Sequence, residues 1–482
     1  MKDALREIKY RQLTMWDYPQ FYLAEQGTIE GVYDSRKTSE NNRASTEKEL
    51  MEWIVSLENL KLAVKKVKGN RGAPGIDGME VEEIDSYFKA NTETLRQSIL
   101  QGRYKPQPVK RVEIPKEQKG KTRKLGIPTV IDRVVQQAIT QVLSHIYEPQ
   151  FQEYSYGFRP GKNAHQAVTK SVEYMNSGYI YVVDMDLEKF FDTVNQSKMA
   201  QLLSKTIKDG RVISLIHKFM RAGVVTKSSY EETVEGVAQG GPLSPLLSNI
   251  LLNELDKELG KRGHRYVRYA DDCMILCRSL KGAQRTKENI IPFIEGKLFL
   301  KVNKEKTKVA ECTEIKYLGF GFYRKKDEIR IQVHEKSKGK MKERIRALTQ
   351  RNHSISHEER ARKINAYIKG WVNYYALADM KAQARKTDGW MRRRIRTILW
   401  KQWKRPKTRK RKLLEAGLER RAAGRTANTR KGLWRIARSP ALHRALGNEY
   451  INRLGYLTFS EQLLKICGTG GTAVCGTACA VV

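Results

Sequence analysis

The sequence predicts an α+β fold, with strands and helices interleaved up to about residue 325 and helices alone beyond it. Three observations carry that reading. Apolar runs of strand length, "YIYVVDM" and "YVRYADDCMIL", stop at acidic residues or turns. Longer segments between them repeat apolar residues at helical spacing. After residue 330 the apolar positions sit among dense Lys and Arg, the pattern of basic surface helices.

In chain order, residues 1–48 are polar and end in "DSRKTSENNRAST", a linker-like stretch with no assigned role. One helix is expected next, with Leu50, Trp53, Ile54, Leu57, Leu60 and Val64 on one face. "GNRGAPGIDG" is a loop. "VKRVEIP" and "TRKLGIP" read as two strands joined by a basic turn. Residues 131–147 return to helix. "GYIYVVDMDLEKFFDTV" is a buried strand running into a helix, and 196–222 is helical. "EGVAQGGPLSPLLSNILLNELDKEL" is a glycine loop opening a long helix. A strand–turn–strand around "YADD" follows, then a helix at 281–299 and a short hairpin, "IKYLGFGFY". Helices fill 336–400, and eight of the twelve residues 401–412 are basic, marking a cationic region. Residues 468–482 use only five residue types and are read as a low-complexity tail without function.

The chain has 482 residues, enough for two to four domains, and carries a net charge of +38 from 91 Lys and Arg against 53 Asp and Glu. With 40% hydrophobic residues it can still build a core, so it is not a disordered basic tail. Such an excess calls for a polyanionic partner, most simply nucleic acid. No apolar run reaches the length of a spanning helix, so no membrane partner is expected. "MKDALREIKY" lacks the apolar core of a secretory signal. None of the six cysteines forms a CxxC pair. That argues for a reducing compartment, against a zinc site and against a disulfide framework.

Asp271 and Asp272 interrupt an apolar run. Two adjacent carboxylates there are either a solvated hairpin tip or the ligands of a cation. Two-metal nucleotidyl transfer needs carboxylates gathered around two divalent ions. A third would come from the end of a neighbouring strand, and "YIYVVDMD" supplies Asp184 and Asp186, two apart and on one strand face. Residue patterning does not choose between them.

The ordered motifs "DMDLEKFFD", "QGGPLSPLLSN", "YADD" and "YLGF" resemble the palm of a reverse transcriptase. "GAPGIDG", "IPKEQKGKTRKLGIP" and "SYGFRPGKNAHQA" resemble the fingers of group II intron reverse transcriptases, and "INAYIKGWVNYY" resembles their thumb, the maturase region. The resemblance covers about residues 49–460. It implies a right-hand polymerase, with fingers and palm over 49–325, a helical thumb over 326–400 and a basic DNA-binding region over 401–467. It also implies an RNA-directed DNA polymerase that helps its own intron RNA to splice and retrohome. Its partners would be group II intron RNA, an RNA template with a DNA primer, target DNA and dNTPs, and its cofactor two Mg²⁺ ions. The paired CxxC motifs and His-rich stretch of the endonuclease found in many relatives are missing after residue 400. The chain is thus similar to the bacterial group IIC branch, with a place in the cytoplasm at the nucleoid.

Carried over residue by residue, the resemblance makes Asp186, Asp271 and Asp272 the catalytic metal ligands. Asp186 is chosen over Asp184 because it lies five residues before Phe191, which resembles the aromatic gate against a 2′-hydroxyl. One of Phe190 and Phe191 is then core. Lys116 and Arg123 match the phosphate-gripping pair, with Lys119 and Lys121 competing for the assignment. Gln239 resembles the residue over the nucleotide, Tyr269 would pack near the primer end, and Tyr317, Leu318 and Gly319 resemble the primer grip. Asn70 and Gly72 belong to a template-covering loop. Gly240 and Gly241 either let backbone approach the template or simply turn the chain before a helix. Gly370, Trp371, Tyr374 and Tyr375 are packing residues, while Lys401, Lys404 and Arg405 would contact phosphates. Two other readings are a splicing-only RNA-binding maturase and a reverse transcriptase domesticated in a defence system.

Overall fold

The computed structural model describes residues 49–115, 122–226 and 229–469. The extension 1–48, the fingers-turn lysines Lys116, Lys119 and Lys121, and nearly all of the tail lie outside them. The chain divides into two compact units, Met1–Glu311 and Cys312–Val482, each taken on its own below.

The first unit opens with two helices, Leu50–Ile54 and Leu57–Gly69, where the sequence suggested one. Ser56 takes an extended backbone, and its hydroxyl accepts from the Asn59 amide, so a new helix is capped in mid-pattern. The break turns Trp53 and Leu57 to solvent while Leu50, Ile54 and Leu60 stay buried. A second expected helix, 196–222, is likewise two: Gln196–Thr206 and Gly210–Met220, the latter capped by the Asp209 carboxylate.

Two sheets position the site. The central strand β3 (Tyr181–Met185) lies in an antiparallel sheet with β6 (Arg265–Tyr269), β7 (Asp272–Cys277) and β8 (Lys308–Glu311), in the order β6-β7-β3-β8. Val182, Val183, Val267, Met274, Ile275 and Leu276 are buried, so successive residues are covered on both faces. That is why these strands read as continuous apolar runs. The other sheet joins the hairpin β1 (Val109–Pro115) and β2 (Thr122–Ile127) to two short strands, β4 (Val224–Val225) and β5 (Tyr230–Glu231), in the order β2-β1-β4-β5. The β1–β4 pairing is parallel. Helices Val130–Tyr147, Ser244–Lys261 and Leu280–Lys297 contribute Ile139, Leu251 and Ile290 to one core with Val183 and Ile275.

The second unit begins with a small antiparallel sheet of β9 (Lys316–Tyr317), β10 (Phe320–Lys325) and β11 (Glu328–Val333). The helices Glu335–Leu348, His357–Tyr375, Lys381–Gln402 and Pro406–Glu415 follow, then shorter ones up to Phe459–Thr469. Two of its many arginines are buried and face carbonyls. Arg360 donates to Leu348 O and His353 O, and Arg396 donates to Leu446 O and Ala437 O. The Asp388 carboxylate accepts from the Phe459 and Ser460 amides at 2.7 and 3.0 Å, capping the last helix from across the bundle.

Candidate active site

The "YADD" stretch is a tight hairpin. The last β6–β7 pair is Tyr269 with Asp272, so Ala270 and Asp271 form the whole loop. Ala270 has φ +57°, a region that costs an L-residue with a Cβ roughly 1 kcal/mol. Asp271 is half-buried and Asp272 exposed, so both aspartates sit at the wet end of an otherwise buried strand pair.

Asp186 lies one residue past β3. The last β3–β7 pair is Met185 with Cys273, and continuing that register sets Asp186 across from Asp272. Opposed residues of an antiparallel pair share a face, with Cβ atoms about 4.5–5.5 Å apart. The segment 303–307 holds Asp186 from the other side. The Asp186 amide donates to Thr307 Oγ1 at 3.2 Å, and Asn303 N donates to the Asp186 carbonyl at 2.9 Å. Lys306 Nζ lies 3.1 Å from Asp186 Oδ2. Asp184 sits one pleat back, opposite Met274 on one side and Lys308 on the other. Burial pushes its carboxyl up to about 6, Lys308 draws it down, and the Asp186 charge pushes it up again.

The donors fit a hard divalent cation in kind, since all are carboxylate oxygens. Asp186 already faces one cation, the Lys306 ammonium. The trio is not drawn together, however: among the described residues no three His, Cys, Asp or Glu side chains form a group able to hold a metal ion.

A cavity of about 540 Å³ opens along β1, β2 and β4, lined among others by Phe191, Gln239, Gly126, Arg111, Lys124 and Lys189. The two phenylalanines divide their roles. Phe190 is buried, and Phe191 is half-buried at the cavity edge, with the rings 5.1 Å apart edge to face. The "QGG" loop is fastened to β2, with Gly126 N donating to Gln239 O at 2.8 Å. Gly240 has φ +120°, and a Cβ there would stand 2.5 Å from Gly126 O; one on Gly241 would stand 2.2 Å from Gln136 Oε1. The neighbours that leave no room for side chains are thus the chain's own. Arg123 pairs with Ile114 in the β1–β2 ladder. The cavity cations Arg111, Lys124 and Lys189 were not singled out by sequence reasoning. Strand alternation offered a signal for Lys124, which is two residues from Gly126 and so on its face.

The glycine loop at 69–78 is anchored elsewhere in the unit. Asn70 caps the helix before it, donating its backbone N–H to Lys66 O. A Cβ on Gly72 would stand 2.2 Å from Arg133 Nη1, while Arg133 Nη2 donates to Ala73 O at 2.7 Å.

In the second unit, Tyr317 is buried and pairs with Phe320. Leu318 and Gly319, at φ +48° and +85°, form the two-residue turn between them. Leu318 O accepts from Tyr374 Oη and Gly319 O from Ser337 Oγ. The Phe320 ring packs on Tyr374 and Tyr375, so the "YLGF" turn and the "WVNYY" helix form one packed piece. Lys401 Nζ donates to Asn352 Oδ1, and Lys404 and Arg405 are exposed at the start of helix Pro406–Glu415. No helix among the described residues is long and apolar enough to cross a membrane.

Residues 114–322 match the family model of reverse transcriptases, RNA-dependent DNA polymerases, and residues 338–416 match the maturase-specific domain of group II introns. The chain is similar to Protein YkfC of Escherichia coli K12, at 32% identity over 318 residues, covering 58% of this chain and 83% of that protein. It is also similar to the group II intron-encoded protein LtrA of Lactococcus lactis, at 29% identity over 373 residues, covering 64% of this chain and 61% of LtrA. Among solved structures, a partial Cas6-RT-Cas1–Cas2 complex aligns with a TM-score of 0.33 and 22% identity, over 52% of this chain and 43% of that one.

Proposed function

The chain belongs to the group II intron reverse transcriptase and maturase family, and from that premise we propose that it copies RNA into DNA at the strand ends carrying Asp186, Asp271 and Asp272, and binds its intron RNA to promote splicing and retrohoming. The observation that carries this reading is the register that sets Asp186 across from Asp272, with Phe191, five residues after Asp186 along the chain, lining one cavity with Gln239.

Asp186, Asp271 and Asp272 are the residues that would hold two Mg²⁺ ions, whose chemistry is to neutralise the phosphoryl oxygens and activate the primer hydroxyl. The chain's own residues do the rest. Phe191 presents an apolar edge where a ribose 2′-hydroxyl would lose its water partners. Arg111, which lies 2.8 Å from Glu231, together with Lys124, Lys189, Lys116 and Arg123, supplies cations for a triphosphate. Gln239, tied through its carbonyl to β2, lies over the nucleotide, and Tyr269 packs near the primer end. In this reading 49–325 are fingers and palm, 326–400 the thumb, and 401–467 a DNA-binding region. Asn70 and Gly72 cover the template, Tyr317, Leu318 and Gly319 grip the primer, and Lys401, Lys404 and Arg405 contact phosphates. The protein works at the nucleoid on intron RNA and target DNA.

The test is primer extension on an RNA template with Mg²⁺ and dNTPs. Asp271→Asn and Asp272→Asn should each lose extension by about 10³-fold or more while template–primer binding stays within about twofold. Extension at the parental rate in either variant overturns the assignment.

A further inference from the structure

The residue before "YADD" in "VRYADD" that matters most for its geometry is an arginine with no route to solvent. Arg268 is fully buried, as are its partners Asp256, Asn249 and Ser155. A guanidinium has five N–H donors, and here every one is used. Nε and one Nη2 hydrogen go to the Asp256 carboxylate, at 2.8 and 2.5 Å. The other Nη2 hydrogen goes to Ser155 Oγ at 2.7 Å. Nη1 donates to Asn249 Oδ1 at 3.1 Å and to the Ala270 carbonyl at 2.8 Å. The backbone around it is bound as well. Arg268 N donates to Tyr154 O, and Tyr156 N donates to Arg268 O, so residues 154–156 run alongside β6. Asn249 Nδ2 then donates to Gly157 O at 2.8 Å, and Gly157 lies so close that a Cβ would stand 2.2 Å from Ala270 N.

One of these bonds falls on the hinge of the turn. In a two-residue hairpin loop, types I′ and II′ differ by a flip of the central peptide plane. Here that plane is Ala270 C=O to Asp271 N–H. Of the two loop residues only Ala270 has positive φ, which is the II′ arrangement, although glycine is the usual residue at that position. An aspartate at the second position tolerates the left-handed φ of the I′ alternative. Local preference therefore does not hold the plane where it is. The Arg268 Nη1 bond to the Ala270 carbonyl does, backed by Gly157 packed against the Ala270 amide.

We propose that Arg268 is a positioning residue. By holding the Ala270 carbonyl it fixes the II′ turn and so fixes the direction in which Asp271 leaves the backbone relative to Asp272. Asp256, Asn249 and Ser155 hold the guanidinium for that task. The proposal rests on the reading of Asp271 and Asp272 as the metal-holding pair.

The test uses the full chain with a bound RNA–DNA hybrid. Arg268→Met combined with Asp256→Leu replaces the buried pair by apolar groups of similar size, an exchange that buried ion pairs often tolerate. Mn²⁺ affinity, read by electron paramagnetic resonance, should weaken about 10–100-fold, as when groups behind metal ligands are lost. Hybrid affinity and dNTP KM should stay within about twofold, and kcat for extension should fall with the Mn²⁺ affinity. Adding Ala270→Gly, which supplies the II′ preference locally, should recover part of both. If the double variant does not fold, Ser155→Ala, which removes one acceptor from the far side of the guanidinium, should weaken Mn²⁺ binding severalfold. Parental Mn²⁺ affinity in the folded double variant, or in Ser155→Ala if the double variant is unfolded, overturns the proposal. Asp272→Asn separates the two failures. Loss of Mn²⁺ binding there, with parental binding in the Arg268 variants, removes only the role of Arg268. Parental extension in Asp272→Asn removes the site reading itself.

Discussion

Replacing Asp184 by Asn should stabilise the protein at neutral pH, although it removes a charged residue from a strand of the active-site sheet. Asp184 sits inside β3, half-buried, between Met274 and Lys308. Burial lifts its carboxyl from the ordinary 3.8 to about 6, Lys308 only partly offsets this, and the Asp186 charge adds to the rise. A carboxyl that holds its proton more tightly in the folded than in the unfolded chain contributes fully below about pH 4. Stability is then lost as pH rises towards 6, and the cost is constant above that. The shift of roughly two units corresponds to about 3 kcal/mol at pH 8 and about 1 kcal/mol at pH 4.5. Asn at 184 keeps the shape and does not ionise, so it escapes this cost. Lys308, cross-strand from Asp184, is exposed, so water reaches its ammonium in the variant as well. The assay is thermal unfolding of parent and variant in EDTA, so that no divalent ion contributes, at about pH 8 and pH 4.5. At a few degrees or less per kcal/mol for a unit of this size, the variant should melt several degrees higher at pH 8, and most of that gap should close at pH 4.5. Extension should survive in Asp184→Asn and be lost in Asp186→Asn. A gap that is constant, or that widens as pH falls, would refute the argument. So would a variant that melts lower at pH 8.

Phe190→Ala should cost about 3–5 kcal/mol in urea unfolding, because the ring is buried. Phe191→Ala should instead raise rNTP incorporation relative to dNTP by about tenfold or more in single-nucleotide extension. Changing Lys401, Lys404, Arg405 and Lys407 to Gln should flatten the slope of log binding constant against log salt by up to about 3, and an unchanged slope would mean that these charges only solvate a surface. Asp388→Ala leaves the Phe459 and Ser460 amides without their acceptor. It should cost about 1–2 kcal/mol and bring forward proteolytic cleavage within 459–469.

The strands β3, β6 and β7 were legible because apolar runs of strand length ended at turns or acidic residues, and β1 and β2 because two short segments flank a basic turn. The two misread helices failed for one reason. Ser56 and Asp209 start new helices inside a periodic pattern, and periodicity does not register a cap that restarts the same period. The strands β4 and β5 have two residues each, too few for alternation to appear, and the parallel β1–β4 pairing joins residues more than a hundred positions apart. At the site, the hairpin and its two aspartates were visible as charge inside an apolar run. Arg268 was not, because in a chain of net charge +38 one more arginine looks like surface. Only the fold shows that it is sealed against Asp256. Arg111 and Lys189 were hidden in the same way among the many other basic residues, whereas strand alternation could have pointed to Lys124.

The sheet order has a consequence for how the chain is made. The central strand, Tyr181–Met185, pairs with Asp272–Cys277 on one side and Lys308–Glu311 on the other. Neither neighbour exists when the strand leaves the ribosome. Glu311 comes 126 residues after Met185, or about 6–25 s of synthesis at roughly 5–20 residues per second. Until Cys277 is made this buried strand has neither neighbour, and one of its edges stays open to other nascent chains for the whole interval. Expression yield should therefore respond to translation speed over residues 186–311 more than to speed over any segment after Glu311.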